Sequence, residues 1–289
     1  MPGYGRWLLV LCLLGWGCAA APSQENLQSQ AISLNDQGYE YYRQSRFNVA
    51  ARKFSQALKL NRLIDRRVGI AANLNNLGVI AQEQDNPQQA MVYFQEALEV
   101  NRELHDPSGL SETLNNLGLV QLSQGRVTEA QTAYLEALDQ ARLLPPEALL
   151  ALSLTHLGDV ARVRRDYDLA LNYYHQALRV DEDRKDARGR ALRWERLGRT
   201  FLDLKDYARA DLYLRDALRD FRRLEDTDGL ADTLQDLTRL ALAQGDKPAA
   251  ALNGRLLLEI YQARGQEQEV KKLEELLQTG GVKAVVSGQ

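Results

Sequence analysis

The chain has 289 residues, 45% of them hydrophobic and 26% charged, with a formal net charge of −3. Such a balance belongs to a folded soluble chain and supplies no positive field for bulk nucleic-acid binding. The two cysteines, Cys12 and Cys18, both stand near the N-terminus, which excludes a disulfide framework.

Taken in chain order, the first stretch reads as an export signal. Arg6 leads an apolar run from Trp7 to Gly15, and Gly17, Cys18, Ala19, Ala20 and Ala21 follow. A short positive lead, a short apolar run and small residues mark a signal peptide over 1–21, too short for a membrane span. Leu14-Gly15-Trp16-Gly17-Cys18 resembles a bacterial lipobox. That resemblance implies cleavage before Cys18 and its lipidation. Gly15 and Trp16 depart from the family's preference for leucine three residues, and a small residue two residues, before the cysteine. Cleavage after Ala21, with Ala19 and Ala21 as the A-x-A pair, is the alternative. Ala19 behind the cysteine, with no aspartate there, resembles the outer-membrane sorting class of Gram-negative lipoproteins. Residues 22–30 read as a polar tether.

From 31 to 264 one pattern returns every 40 residues. Leu74, Asn76, Leu77, Gly78, Ala90, Phe94 and Ala97 recur as Leu114, Asn116, Leu117, Gly118, Ala130, Tyr134 and Ala137. Leu154, Leu157, Gly158, Ala170, Tyr174 and Ala177 follow, then Trp194, Leu197, Gly198, Ala210, Leu214 and Ala217. Gly38, Ala50, Phe54 and Ala57 fit upstream. Leu234, Leu237 and Ala250 fit downstream, but Thr238 replaces the glycine, Gly254 the aromatic and Leu257 the last alanine. Each unit holds two apolar patterns of helical period around a short polar turn. Neither helix buries its face alone, so the pairs must stack into a solenoid. A mid-helix glycine costs about 1 kcal/mol against alanine, and the expected return is close approach of the second helix. The aromatics are expected to fill the space between repeats, and the sixth repeat reads as worn.

Pro87 and Pro248 fall where second helices start, where proline is tolerated. Pro145-Pro146, in the connection between repeats three and four, predicts a local distortion. The charge run from Asp181 to Arg190 reads as a solvated connector. Residues 265–278, with Leu273, Leu276 and Leu277 on one stripe, read as a capping helix, and 279–289 as a flexible tail.

The pattern W/L-x-x-L-G, then A, F/Y and A, resembles the tetratricopeptide repeat. Its 40-residue length is similar to the long subclass of kinesin light chains and spindle-orientation scaffolds, where a D-x-x-G-x-A run precedes L-x-N-L-G. Asp65, Gly69 and Ala71 match that run; Asp106, Asp186 and Asp226, with Gly109, Gly189 and Gly229, nearly match. The resemblance implies an all-α fold, a right-handed superhelical solenoid of antiparallel helix pairs. It also implies that the first helices line a concave face.

The positions two before and one after each repeat glycine then point into the groove. They are Asn76, Val79, Asn116 and Leu119 in repeats two and three. In repeats four to six they include His156, Asp159, Arg196, Arg199 and Arg239, with Arg162 beside them. In the long-repeat proteins, asparagines at this phase clamp peptide backbones; here Asn76 and Asn116 either do so or bridge neighbouring helices. The arginines suit an acidic segment in a partner, tempered by Asp159, Glu195 and Asp203.

His105, His156 and His175 lie in different repeats without metal-ligand spacing, and no nucleophile elbow or phosphate loop appears. The expectation is therefore a non-enzymatic scaffold without cofactor or metal. Its partner is a protein or peptide, not nucleic acid, and its contact with the membrane is a lipid anchor. By architecture it is similar to lipid-anchored repeat proteins that assist pilus secretin assembly. A soluble periplasmic or secreted accessory protein and a self-assembling solenoid are the alternatives. The oligomeric state is left open.

Overall fold

The computed structural model describes residues 23–145 and 148–282. The signal stretch, Cys18 and the tail beyond 282 lie outside the described residues, as does Pro146. Among the described residues there are thirteen helices and no strand. Six first-and-second pairs follow one another: α1 (Gln24–Arg43) with α2 (Phe47–Leu63), α3 (Arg67–Glu83) with α4 (Pro87–Leu104), and α5 (Pro107–Ser123) with α6 (Val127–Ala141). Next come α7 (Ala148–Val163) with α8 (Tyr167–Asp183), α9 (Ala187–Asp203) with α10 (Tyr207–Arg223), and α11 (Thr227–Gln244) with α12 (Lys247–Ala263). A final helix, α13 (Glu267–Thr279), packs on α12. None of these helices is long and apolar enough to cross a membrane.

Residues 24–30 correct the tether expectation, because α1 already starts at Gln24. Ser23 caps it by accepting from the Asn26 N–H at 3.3 Å, and Glu25 in the first turn suits the positive end of the helix. Nothing between Ser23 and Ala31 breaks a helix, so the polar residues there coat an exposed extra turn.

The repeat glycines do make room for the second helix: a ring fills it in the first four repeats, and in the fifth Gly198 meets the Leu214 side chain and, at 3.2 Å, its backbone nitrogen. A Cβ on Gly78 would stand 2.4 Å from Cε1 of Phe94, and on Gly118 2.5 Å from that of Tyr134. The ring of the second helix lies flat over its own repeat's glycine and then reaches the next repeat, as Phe94 does with Leu110, Leu114 and Leu117. A second small–large pairing joins successive repeats. Gly69 faces Asn61, Gly109 faces Asn101, Gly189 faces Asp181 and Gly229 faces Phe221. In the connector that lacks the glycine, the same two phases of the repeat hold Leu149 and Ala141, a large residue where the glycine was and a small one where its partner was.

Asp106, Asp186 and Asp226 cap α5, α9 and α11 through their side chains. Asp65 does not: it sits one residue earlier with φ +49°, and Arg66 occupies the cap position. The charge run from Asp181 is likewise no solvated connector at its start. Asp181 is buried and paired with Arg193 at 3.1 Å, and Arg190 reaches Asp220.

The backbone carries a finer period than the side chains. A residue with positive φ ends a helix at 45, 65, 85, 105 and 125, and again at 165, 185, 205, 225, 245 and 265. The step is 20 residues, and the gap falls at Pro145, whose ring locks φ near −65°. This connector therefore runs without the left-handed cap, and α6 stops at Ala141, earlier in its repeat than the other second helices.

Candidate functional site: the inner wall of the solenoid

The first helices touch their counterparts directly: α1 meets α3, α3 meets α5, α5 meets α7 and α9 meets α11. The second helices have no comparable contacts with one another among the described residues, so the first helices form the inner, closer-spaced wall. Every residue expected in the groove falls on this wall, but most of its polar members are already engaged.

Asn76 donates from Nδ2 to Asn35 Oδ1 at 3.2 Å and accepts from the Tyr39 hydroxyl at 3.0 Å. Asn116 donates to Asn75 Oδ1 at 3.0 Å, and Asn75 donates to Glu112 Oε1 at 2.9 Å. One repeat on, the amide of Asn115 donates to Ser153 Oγ at 2.9 Å, and its Oδ1 lies 3.1 Å from His156 Nδ1. These bonds join side chains 37 to 41 residues apart, so they are rungs between successive first helices. Of the two readings for the asparagines, the bridge between helices is the one this geometry contains. The partners Asn35, Asn75 and Asn115 precede the groove position by one residue and serve the structural role of linking the helices.

His156 packs against Tyr134 with ring centroids 4.7 Å apart. Burial, with Arg193 and Arg196 nearby, pushes its pKa down to about 4 against a smaller upward pull from Asp159. The ring is neutral at pH 7.

The arginines close a network. Arg162 pairs with Asp203 at 2.8 Å. Arg196 pairs with Asp159 at 3.3 Å and Glu195 at 3.0 Å. Arg199 holds Glu195 and, at 2.7 Å, Asp236. Asp159 also accepts from the Tyr174 hydroxyl at 2.8 Å. Burial raises the Glu195 pKa even though two guanidiniums oppose it. Arg239 is the loosest member, with 45% of its side chain exposed and contacts of 3.3 Å to Asp236 and 3.9 Å to Asp203. Little free positive potential remains for an acidic segment.

Between the amide rungs and the arginine network, Val79 and Leu119 are part-buried apolar residues on the same wall. No group of His, Cys, Asp and Glu among the described residues could hold a metal ion.

Two overlapping stretches, 68–143 and 109–183, match the family model for the tetratricopeptide repeat. No curated protein matches the sequence. Among solved structures the chain is similar to a Rap protein complexed with Competence and Sporulation Factor (TM-score 0.65, 15% identity, 88% of this chain and 75% of that one). It is also similar to Pseudomonas aeruginosa PilF (TM-score 0.57, 21% identity, 85% and 98%). A third neighbour is the set of nearly identical TPR-like repeats of a putative kinesin light chain from Podosopora anserina (TM-score 0.54, 14% identity, 69% and 98%). At these identities the likeness shows the fold alone. The chain is an all-α solenoid of tetratricopeptide-like repeats, a protein–protein interaction fold, with 68–183 matching the repeat family itself.

Proposed function

We propose that the chain is a non-catalytic scaffold that holds a partner peptide or domain along the inner wall of α1, α3, α5, α7, α9 and α11. The observation that carries this reading is the composition of that wall. Most of its polar groups are engaged in rungs and ion pairs that rigidify the surface, while Val79 and Leu119 stay partly accessible on it. A rigid wall with apolar anchor points loses little entropy on binding. Neighbours of the same fold include a Rap protein bound to Competence and Sporulation Factor and a subunit within the Cut9–Hcn1 heterotetramer. A partner with an acidic segment would find Arg239 the most available guanidinium, since Arg196 and Arg199 would have to leave internal carboxylates.

The scaffold would work at the cell envelope, exported by the 1–21 signal and held by a lipid on Cys18. There it would assist assembly of an envelope complex. The mass of the mature N-terminus checks this: a lipid-modified Cys18 supports the anchor, and an unmodified chain starting at Pro22 supports a soluble exported accessory. The self-assembling alternative loses support because α13 covers the last repeat.

Crosslinked pull-down tests the groove. Val79→Lys and Leu119→Lys place charge on the wall without breaking a rung. A partner captured by the native chain and lost by both variants supports the reading. Undiminished capture by both folded variants refutes it.

A further inference from the structure

The inner wall is not uniform in charge. In its second half each arginine faces a carboxylate. In its first half stand Asp36, Asp106 and Glu112, and among the described residues none of them has a Lys, Arg or His side chain within ion-pair distance.

Glu112 lies in a cavity of about 150 Å³ between α3 and α5. Asn101, 3% exposed, also lines it; its Nδ2 donates to Thr113 Oγ1 at 3.1 Å, and its Oδ1, which packs over Gly109, accepts no hydrogen bond among the described residues. Asn75 spends one amide N–H on Glu112, Asn76 one on Asn35, and Tyr39 its hydroxyl proton on Asn76. The charged groups that line the space are both carboxylates, Glu112 and, at the rim, Asp106, whose Oδ1 accepts from the Ser108 N–H. Val68 and Ala72 supply an apolar flank beside them. Partial loss of water raises the Glu112 carboxyl pKa, Asp106 raises it further, and Asn75 alone among the named neighbours opposes this. The wall thus carries a negative charge that its own residues leave under-compensated.

We propose that this cavity receives the cationic head of a basic side chain, lysine or arginine, from the partner segment, with Glu112 as its counter-ion and Asn101 Oδ1 as its second acceptor. An ammonium or guanidinium offers only donors, which matches a site that presents acceptors. Its aliphatic stem would lie along Val68 and Ala72, as long cationic side chains lie on apolar surface with the head in a polar environment. The partner is then basic where it crosses repeats two and three. This rests on the reading that the groove takes a partner, and it specifies the chemistry at one point.

The test needs no partner. Nα-acetyl-lysine amide and Nα-acetyl-arginine amide are titrated into the folded chain, with backbone amide shifts of 68–76 and 106–113 recorded by NMR. Nα-acetyl-norleucine amide is the neutral control. The expected result is saturable, millimolar binding of at least one cationic amide at these residues. Norleucine amide and the Glu112→Gln variant should each bind at least tenfold more weakly. The glutamine keeps an oxygen for the Asn75 bond, so the fold is retained. No saturable shift with either cation, equal shifts with norleucine amide, or full binding by Glu112→Gln would each overturn the proposal. Such a failure leaves the groove reading intact, since that reading is judged by the lysine variants at Val79 and Leu119.

Discussion

Gly254 and Leu277 are in direct apposition. A Cβ on Gly254 would lie 2.8 Å from Cδ1 of Leu277, so the glycine is the socket in which the last helix seats. In earlier repeats the ring over the glycine comes from the position that Gly254 occupies here. The sixth repeat has exchanged the pair: Thr238, fully buried and bonded to the Leu234 carbonyl at 2.7 Å, stands where the glycine was. What reads as wear in the sequence is thus an adaptation to α13.

Restoring the repeat pattern at this position should therefore evict the cap. Gly254→Phe is expected to undock α13, seen as fast amide exchange over 267–279 while α1 to α10 stay protected. Continued protection of α13 in that variant would show that the socket is not what holds it.

The tyrosines at one phase of repeats three and four, Tyr134 and Tyr174, sit in two different environments. Tyr134 is fully buried and its hydroxyl has no partner among the described residues, whereas the Tyr174 hydroxyl donates to Asp159 at 2.8 Å. Leaving a buried polar group unpaired costs about 1–3 kcal/mol. Tyr134→Phe, which puts in place the ring that repeats one and two already use, should leave stability unchanged or raise it by about 1 kcal/mol. Tyr174→Phe should lower it by about 1–2 kcal/mol. Denaturant midpoints of the two variants decide the matter, and equal losses would contradict the assignment.

His156 should make the fold acid-sensitive in a defined window. Its pKa is about 4 in the folded chain and about 6.5 when unfolded, so the unfolded state binds the proton first. Stability therefore falls as pH drops from about 6.5 towards 4, by up to roughly 3 kcal/mol, and no further loss from this group follows below that. His156→Asn takes the residue found at the same place in Asn76 and Asn116. It should show a shallower loss than the native chain between pH 6.5 and 4 in urea titrations.

The arginine network predicts unequal variants. Arg199→Ala would leave Glu195 to Arg196 alone and Asp236 to Arg239 alone, each carboxylate with a side chain 2% exposed, and should cost about 3 kcal/mol. Arg239→Ala removes a half-exposed partner and should cost less than about 1 kcal/mol. Thermal melts of the purified variants read the difference. Alanine at Arg199 is for the same reason an unclean probe of binding.

Much of the fold was legible because it repeats. Gly78, Gly118, Gly158 and Gly198 at one phase announce a space, and Phe94, Tyr134, Tyr174 and Leu214 at another announce what fills it. The six pairs follow from those phases alone. The side-chain rungs did not, because phase gives the face of a helix but not which diagonal neighbour across the repeat it meets. Asn75 and Asn76 differ by one position and are both engaged, each with a different repeat. The 20-residue backbone period escaped for another reason. The residue that ends each helix with positive φ is Ser, Asp, His, Arg, Lys, Glu or Gly, so no residue type marks it. The helical start at Gln24 was hidden by polarity, since an exposed extra turn has no apolar stripe to reveal it.

Partners of the solenoid are expected to bind on its inner wall. A photo-crosslinking side chain placed at Leu119, on that wall, and separately at Leu212, exposed on the second helix α10, tests it in the cells that make the protein. A crosslinked partner is expected from position 119 and none from 212. A partner captured from 212 and not from 119 would contradict inner-wall binding and move the binding surface to the outer face.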